Sequence, residues 1–269
     1  MSGFRACVLI PTYDNPHSIA QVIENVRTCM RDMPEMHEMR KVIVVDDGSG
    51  PRAQHVLHDL QERGLAHVVR RPHNGGKGAA VKTGLAAARD LGFTHALQID
   101  ADGQHRTEDI PRFIAEAEAN PTCLILGTPC FAADAPRARK YGRQVSIVFV
   151  HLETRSRAIA DPLCGFRVYP VAAALACAPR ADRMDFDPEI AVRMVWRGIP
   201  VRNLPTQVRY IPRDQGGVSH FQLVRDNLRI SWMHTRLMCL ASLRLIFGWL
   251  LRPRLMEPAS PRPLLGKDD

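Results

Sequence analysis

The chain has 269 residues, enough to bury a substantial core as one large domain or two small ones. Its formal net charge of +8 favours anionic partners such as nucleotide phosphates, lipid phosphates or a membrane surface. The seven cysteines are scattered without a C-x-x-C pair, which argues against a zinc site or a disulfide framework. There is no aromatic stacking platform and no basic recognition helix, so nucleic-acid binding is not expected. The N-terminus runs into an apolar stretch without a basic leader, and we expect a cytoplasmic protein.

The first half of the chain alternates short apolar runs with helical patterns. Apolar runs predict five strands, at 6–10, 41–45, 66–70, 95–99 and 123–128. Capping residues and apolar spacing predict helices after Asn15-Pro16, over 78–92 and over about 107–120. Continuous apolar strands interleaved with helices indicate a mostly parallel sheet with helices on both faces. The predicted fold class is therefore α/β and Rossmann-like.

The second half is less regular. A basic loop at 135–143 leads into a long helical segment, and a further helix is predicted from about 187 to 197, before an extended stretch at 201–212. No repeat or linker divides the chain, so we expect one domain over 1–221, with a nucleotide-binding half at about 1–128 and a partner-binding half at about 129–221. A helical segment should follow at 222–256, and a tail rich in proline and charge at 257–269 is expected to be disordered.

Acidic residues follow the ends of two predicted strands. Asp46-Asp47 comes after the second strand, and Asp100-Ala101-Asp102 comes after the fourth. The carboxyl ends of parallel strands share one edge of the sheet, which is where such sheets bind ligands. An EF-hand is excluded, because His105 stands where its loop needs glycine and Pro111 where it needs glutamate. A phosphatase nucleophile pair is not favoured, because such a pair follows the first strand of its domain and this one follows the fourth. A receiver domain is not favoured either, because it would be shorter than this chain. A divalent cation that bridges a nucleotide diphosphate fits the D-x-D pair.

Six stretches in order resemble family 2 glycosyltransferases with the GT-A fold, in the branch of dolichol-phosphate and polyprenyl-phosphate mannosyl- and glucosyltransferases. They span roughly residues 6 to 221 and read VLIPTYDN, VIVVDDGSG, RRPHNGGKGAAVKTGLAAA, LQIDADGQH, DPLCGFRVYP and VRYIPRDQGGVSHF. The resemblance implies an inverting transfer of a hexose from GDP-mannose or UDP-glucose to a lipid-linked acceptor such as polyprenyl phosphate, assisted by Mg²⁺ or Mn²⁺. It further implies peripheral contact with the cytoplasmic face of a membrane.

The resemblance also implies roles for individual residues. Asp100 and Asp102 would hold the metal with Gln104 nearby, and Ala101 would contact the diphosphate. Lys77 would lie near phosphate, unless it is a solvated turn lysine. The nucleoside pocket would be lined by Pro11, Tyr13, Val44 and Asp46, and the donor or acceptor phosphates would face Arg167 and Arg213.

The chain departs from the family pattern in the region that would meet the acceptor. Pro129 replaces an arginine, His220 replaces a lysine, and Cys164 replaces a residue with a hydroxyl group. The glutamate expected near Asn15 is absent. The sugar and the acceptor therefore stay open, and a hydroxyl or carboxyl acceptor, or an inactive sugar-nucleotide sensor, are alternatives. A nucleotidyltransferase is not favoured, because the glycine- and arginine-rich loop it carries after the first strand is missing.

Two catalytic candidates follow. Asp102 would act through the metal, which neutralises charge on the leaving diphosphate. Asp187 could be a general base for a hydroxyl acceptor, or simply part of a helix start with Pro188. A phosphate acceptor would need no base, because its second pKa is about 6.

The apolar segment 237–251 also has two interpretations. It is shorter than the ~20 residues that span a bilayer and contains Arg244, so it could lie in the membrane interface with Trp249 as an anchor. It could instead pack on its own domain or on a partner subunit of a homo-oligomer.

Overall fold

The computed structural model describes residues 3–31, 42–131, 137–209 and 222–247. Arg213, His220, Trp249 and the tail at 257–269 lie outside this part, so the predictions made for them remain predictions. Within it, seven strands form one sheet: β1 (Ala6–Thr12), β2 (Val42–Asp46), β3 (His67–Arg70), β4 (His95–Gln98), β5 (Leu124–Phe131), β6 (Arg167–Pro170) and β7 (Val201–Val208).

The strand order is β3-β2-β1-β4-β6-β5-β7. All neighbours are parallel except β6, which pairs antiparallel with both β4 and β5. The five predicted strands and the α/β fold are confirmed, but the sequence did not predict β6. Its run of four residues is too short to stand out, and its place is set by pairing with strands far away in the chain. β6 comes from the predicted partner-binding half and lies between strands of the nucleotide-binding half.

Helices cover both faces of the sheet. One face carries α1 (Ile19–Arg31), α2 (Pro51–Glu62) and α4 (Ile110–Ala119), which follows a 3₁₀ turn at Thr107–Asp109. The other face carries α3 (Lys77–Asp90), α5 (Arg137–Thr154), α6 (Val171–Ala176), α7 (Phe186–Trp196) and α8 (Leu223–Ile246). Each face has its own apolar cluster, because alternate strand residues point to opposite sides.

The C-terminal helix lies within the helical segment expected at 222–256. α8 is a single helix of 24 residues that begins 14 residues earlier than the apolar run at 237–251 (237 against 223). Met233 and Leu237 are buried against the domain. Polar contacts fix the same side, since His234 Nδ1 lies 2.8 Å from Glu153 Oε1 and Arg236 pairs with Glu189 at 2.9 Å. The described part of the apolar segment therefore contacts its own domain through Leu237, and the interfacial interpretation stays a prediction.

Arg244 is the charged residue that interrupts the apolar segment in the sequence. In the structure its guanidinium turns toward the domain, where it donates to the carbonyl of Trp196 at 3.0 Å and lies 5.1 Å from the centre of the indole ring. Among the described residues, no helix combines the length and the hydropathy required to cross a bilayer.

Candidate functional site

The polar loops after β1, β2 and β4 meet at the carboxyl edge of the sheet. Asp14 N–H donates to Ser49 Oγ at 2.9 Å, and Asp14 Oδ1 accepts from Gly50 N–H at 2.7 Å, which joins the first two loops. Ser18 Oγ donates to the carbonyl of Ala101 at 2.7 Å and so attaches the D-x-D loop to the start of α1. The first turns of α3 and α7 complete this edge with Lys77 and Asp187.

Two basic side chains, Lys77 and His105, lie close to the carboxylate of Asp100. Lys77 Nζ lies 2.8 Å from its Oδ1 and 3.0 Å from its Oδ2, and His105 Nε2 lies 3.7 Å from Oδ2. Burial alone would raise the pKa of this carboxyl, but the charge of Lys77 and the contact with His105 hold it well below the usual range. Asp100 is therefore ionised at physiological pH.

Asp102 has a different environment. Its Oδ1 accepts the backbone N–H of Gln104 at 3.0 Å, which closes the loop, while the carbonyl of Gln104 accepts from Arg209 N–H at 2.9 Å. Burial and the nearby charge of Asp100 raise the pKa of Asp102 above its usual value. A bound cation would relieve this repulsion. The predicted role of the Gln104 side chain as a ligand stays a prediction.

Lys77 links the D-x-D loop to α7. Its Nζ also lies 2.8 Å from Asp187 Oδ2, and the lysine side chain is only 13% exposed. Burial opposes its charge, but Asp100 and Asp187 raise the pKa of Lys77 above the usual value. A solvated turn lysine is therefore the wrong interpretation of Lys77.

The base predicted at Asp187 is an ion-pair partner in this structure. Its side chain is 5% exposed, and its two oxygens face Lys77 and Gln98, whose Nε2 lies 3.4 Å from Oδ1. Gln98 in turn accepts the hydroxyl of Tyr169 at 3.0 Å. α7 begins at Phe186, so Asp187 does lie in the first turn of a helix, next to Pro188.

The glycine loop before Lys77 is held by Asp47, which the sequence singled out only as half of a double acid. Asp47 Oδ1 accepts from Gly75 N–H at 3.1 Å, and its Oδ2 accepts from Gly76 N–H at 2.6 Å. Arg71 Nε, 2.8 Å from Oδ1, balances the buried charge. Gly76 has φ 103°, a left-handed conformation that favours glycine. The sequence signal that could have suggested this contact is the pair of adjacent glycines directly before Lys77, together with the second acid of the pair after β2.

The predicted nucleoside pocket is only partly accessible. Tyr13 is half-buried after β1, and Pro11 is buried within it. Asp46 is fully buried, with Oδ1 accepting from Ser49 N–H at 2.9 Å and Oδ2 from Arg70 Nε at 3.2 Å. Its predicted contact with a base or ribose stays a prediction.

The structure corrects the prediction for Val44. The residue has no exposed surface and belongs to the apolar cluster that contains Ile23 and Leu57, because its strand is covered on both faces. It supports the sheet beneath the edge and cannot line a pocket in this conformation.

Arg167 is a second correction. The sequence placed it against phosphate, but the side chain is fully buried. Nε and Nη2 donate to the carbonyl of Cys164, Nη2 also donates to Pro162, and Nη1 donates to the carbonyl of Asp187 at 2.9 Å. Since its donors are used by backbone carbonyls, Arg167 positions the loop at 161–166 and the first turn of α7.

The described residues contain no group of three or more His, Cys, Asp or Glu side chains arranged for a metal ion. A hard cation that also binds phosphate needs only one or two protein carboxylates, and Asp100 and Asp102 supply them. Asp100 Oδ1 is buried without a hydrogen bond, although Lys77 lies within ion-pair distance of it. Two carboxylates, which are hard oxygen donors, fit Mg²⁺ or Mn²⁺ shared with phosphate.

The sequence is similar to those of known glycosyltransferases. Residues 7–173 match the family model "Glycosyl transferase family 2". A dolichyl-phosphate beta-glucosyltransferase from Trichomonas vaginalis is 25% identical over 237 residues, which is 83% of this chain and 72% of that protein. A polyprenol monophosphomannose synthase from Mycolicibacterium smegmatis is 30% identical over 124 residues, covering 45% of this chain and 44% of the relative.

Solved structures share the fold. Glucosyl-3-phosphoglycerate synthase from Mycobacterium tuberculosis, in complex with Mn²⁺, UDP and glucosyl-3-phosphoglycerate, superposes with a TM-score of 0.65 at 15% identity and covers 88% of this chain and 81% of its own. That likeness supports the GT-A-like architecture, and the family match covers more than half of the sequence. The chain belongs to glycosyl transferase family 2 and is a glycosyltransferase.

Proposed function

We propose that this glycosyltransferase moves a hexose from a nucleoside-diphosphate sugar to a lipid-linked phosphate, with inversion at the anomeric carbon. The observation that carries the donor half of this proposal is the meeting of Lys77, Asp100 and Asp102 at one sheet edge. Relatives that act on dolichyl or polyprenyl phosphate support the acceptor class. A structural neighbour bound to Mn²⁺ and UDP supports the use of a divalent cation.

In the proposed reaction an acceptor oxygen forms a bond to the anomeric carbon on the face opposite the diphosphate. The bond between that carbon and the diphosphate oxygen breaks, and the nucleoside diphosphate leaves with the electron pair. A divalent cation held by Asp100 and Asp102 would neutralise the charge that develops on the leaving group. Lys77 would add a second positive charge beside it, in a site where partial burial strengthens the interaction.

The environment of Asp187 favours a phosphate acceptor. A phosphate monoester is largely dianionic at neutral pH and attacks without losing a proton to the protein. A hydroxyl acceptor needs a base, and Asp187 is buried and held by Lys77 at 2.8 Å. An acceptor that needs no base is consistent with this arrangement.

An exposed apolar surface supports an acceptor with a lipid tail. Val145, Val148 and Leu152 lie on one side of α5 and are each more than half exposed, at 54%, 56% and 55%. On α8, Leu228 and Trp232 are 66% and 69% exposed. Phe149 of α5 stacks on His234, so the two helices are in contact. We give the name apolar face to the exposed side chains of α5 and α8: Val145, Val148, Leu152, Leu228 and Trp232. We propose that this face rests on the membrane surface where the acceptor headgroup is presented. Large exposed apolar patches are typical of such contacts.

A donor and acceptor screen tests the proposal. Radiolabelled GDP-mannose and UDP-glucose are each incubated with the protein, MnCl₂ and either polyprenyl phosphate or polyprenol, and label is measured in the organic phase. We expect an acid-labile product with the phosphate and one of the two donors, and no product with the alcohol. Transfer to the alcohol alone would contradict the phosphate acceptor and support the hydroxyl alternative. Release of free sugar without transfer to either would contradict both lipid acceptors.

A further inference from the structure

The ammonium group of Lys77 contacts the carboxylate of Asp100, which a metal ion would need as a ligand. Nζ contacts both oxygens of Asp100, at 2.8 and 3.0 Å, and Asp187 Oδ2 at 2.8 Å. Cation and lysine would therefore approach the same carboxylate. Two positive groups on a single carboxylate repel each other strongly at such distances.

Asp100 has little freedom to serve both. The backbone of Gly165 lies so close that a Cβ atom there would be 2.3 Å from Asp100 Oδ2 and 2.7 Å from Oδ1. His105 approaches Oδ2 from another direction, at 3.7 Å. Gly165 and His105 restrict the carboxylate on two sides, so the more mobile partner is the long side chain of Lys77.

The backbone of Lys77 is fixed while its side chain retains a second partner. Asp47 holds the two preceding glycines, and Ala79 N–H donates to the carbonyl of Asp182 at 2.8 Å, which ties α3 to the loop before α7. Asp187 stays within reach of the ammonium when Asp100 is taken by a metal ion. Lys77 can thus leave Asp100 without becoming an unpaired buried charge.

We propose that Lys77 competes with the divalent cation for Asp100, and that a nucleoside diphosphate relieves this competition by drawing the ammonium onto its phosphates. Metal and nucleotide then bind cooperatively. Without nucleotide, Lys77 weakens metal binding and keeps the site closed to free cations. The coupling is reciprocal, since the metal favours the same displaced lysine that the phosphates bind. This inference rests on the proposed metal-dependent donor site.

The test measures Mn²⁺ binding directly, by electron paramagnetic resonance of the free ion, with Mn²⁺ alone and with saturating UDP or GDP. In Lys77→Gln we expect Mn²⁺ alone to bind about tenfold tighter than in the wild type, equivalent to ~1.4 kcal/mol. The extra tightening produced by nucleotide should be smaller in the variant than in the wild type. Lys82→Gln is the matched control, because Lys82 lies on α3 but bonds to the carbonyl of Pro179 and to Asp182. It should bind Mn²⁺ like the wild type.

A second variant tests whether an unbalanced buried charge, or an ion bound between Asp100 and Asp187, could explain the result. Lys77→Gln/Asp187→Asn removes one buried positive and one buried negative charge, so the balance of charge is kept, and thermal melts verify that it folds. It should retain the tighter binding of Mn²⁺ alone. Unchanged or weaker binding in both variants would overturn the inference. Tight binding that disappears when Asp187 is changed would also overturn it, because the ion would then lie between Asp100 and Asp187. If the wild-type protein binds no Mn²⁺ in the presence of UDP or of GDP, the proposed donor site itself is contradicted. This outcome differs from the two that overturn only the inference on Lys77.

Discussion

The backbone of Gly165 lies directly against the carboxylate of Asp100. A Cβ atom on this residue would be 2.3 Å from Oδ2 and 2.7 Å from both Cγ and Oδ1, closer than Cβ atoms come to other heavy atoms in proteins. Gly165 belongs to the loop that Arg167 holds through the carbonyl of Cys164. The loop before β6 thus sets the position of the first D-x-D carboxylate.

Gly165→Ala should displace Asp100 from Lys77 and lower transfer activity strongly. We expect a loss of at least ~10-fold in kcat/KM, since displacements near 1 Å at a reacting centre have effects of this size or larger. Steady-state kinetics with the identified donor measures it. Gly142→Ala is the control, because nothing lies within 4 Å of a Cβ at that exposed position. Wild-type activity in Gly165→Ala would show that Asp100 can shift freely.

Asp47→Asn should loosen the glycine loop that carries Lys77. The amide keeps one acceptor oxygen but loses the charge that binds Arg71 and the second acceptor for the loop amides. We expect nucleotide affinity to fall and the free energy of unfolding to drop by about 1–3 kcal/mol. Calorimetry with UDP or GDP and urea unfolding measure the two effects. Asp59→Asn, at an exposed i,i+4 pair with Arg63, should change neither.

The pH dependence of stability should show that the pKa of Glu153 is raised in the folded state. Burial raises its pKa above the usual value of 4.5, and the contact with His234 opposes the shift only in part. The folded state therefore binds this proton more tightly than the unfolded chain. The resulting stabilisation is complete below the unfolded pKa and is lost as pH rises through the folded pKa.

In Glu153→Gln this pH-dependent loss should be absent. The free energy of unfolding of the wild type, relative to that of the variant, should therefore fall as pH rises from about 4.5 toward neutral. Urea unfolding at several pH values measures the difference. Glu108→Gln, at a side chain that is 64% exposed, should run parallel to the wild type. A relative stability that rises with pH in the Glu153 comparison would contradict the assigned direction.

Membrane attachment should depend on the apolar face. Leu228→Ala/Trp232→Ala removes two side chains that pack on little else, so folding should be unaffected. Each large apolar side chain contributes about 1.5–3 kcal/mol when transferred from water, so binding to vesicles should fall at least ~10-fold. Sedimentation with vesicles that contain anionic lipid measures it. Glu62→Ala on α2, on the opposite side of the sheet, should bind like the wild type. Equal binding of all three proteins would contradict a membrane role for this face.

The sequence predicted those elements whose local pattern agrees with the final structure. β1 and β2 begin with continuous apolar runs and are buried on both faces, and α3 is rich in alanine, so both kinds of element were recognised. β6 was missed because four residues hold too little local signal, and the strand exists through pairing with β4 and β5. α8 lies within the expected helical segment at 222–256, but the contacts of His234 and Arg236 with buried carboxylates were not predicted, because their partners are distant in the chain.

The residues of the candidate site were also predicted only in part. The D-x-D pair and Lys77 were found, because acidic and basic residues at strand and helix ends carry a chemical signal. Arg167 was misplaced, since an arginine that binds buried carbonyls and one that faces phosphate are identical in sequence. Asp47 and Gly165 were overlooked as individual residues, because their contacts join distant segments of the chain. Asp47 contacts Gly75, which is 28 residues away, and Gly165 lies against Asp100, which is 65 residues away.

The central claim is that Asp100 and Asp102 hold a divalent cation that a nucleoside diphosphate shares. The most direct measurement is calorimetry of UDP and GDP with the wild type and with Asp100→Ala/Asp102→Ala, each in MnCl₂ and in EDTA. Lys82→Gln serves as the folded control. We predict that one nucleotide binds the wild type at least ~10-fold more tightly in MnCl₂ than in EDTA, a difference of ~1.4 kcal/mol, and that the variant loses this difference. Nucleotide binding of equal strength in all four conditions would contradict the account.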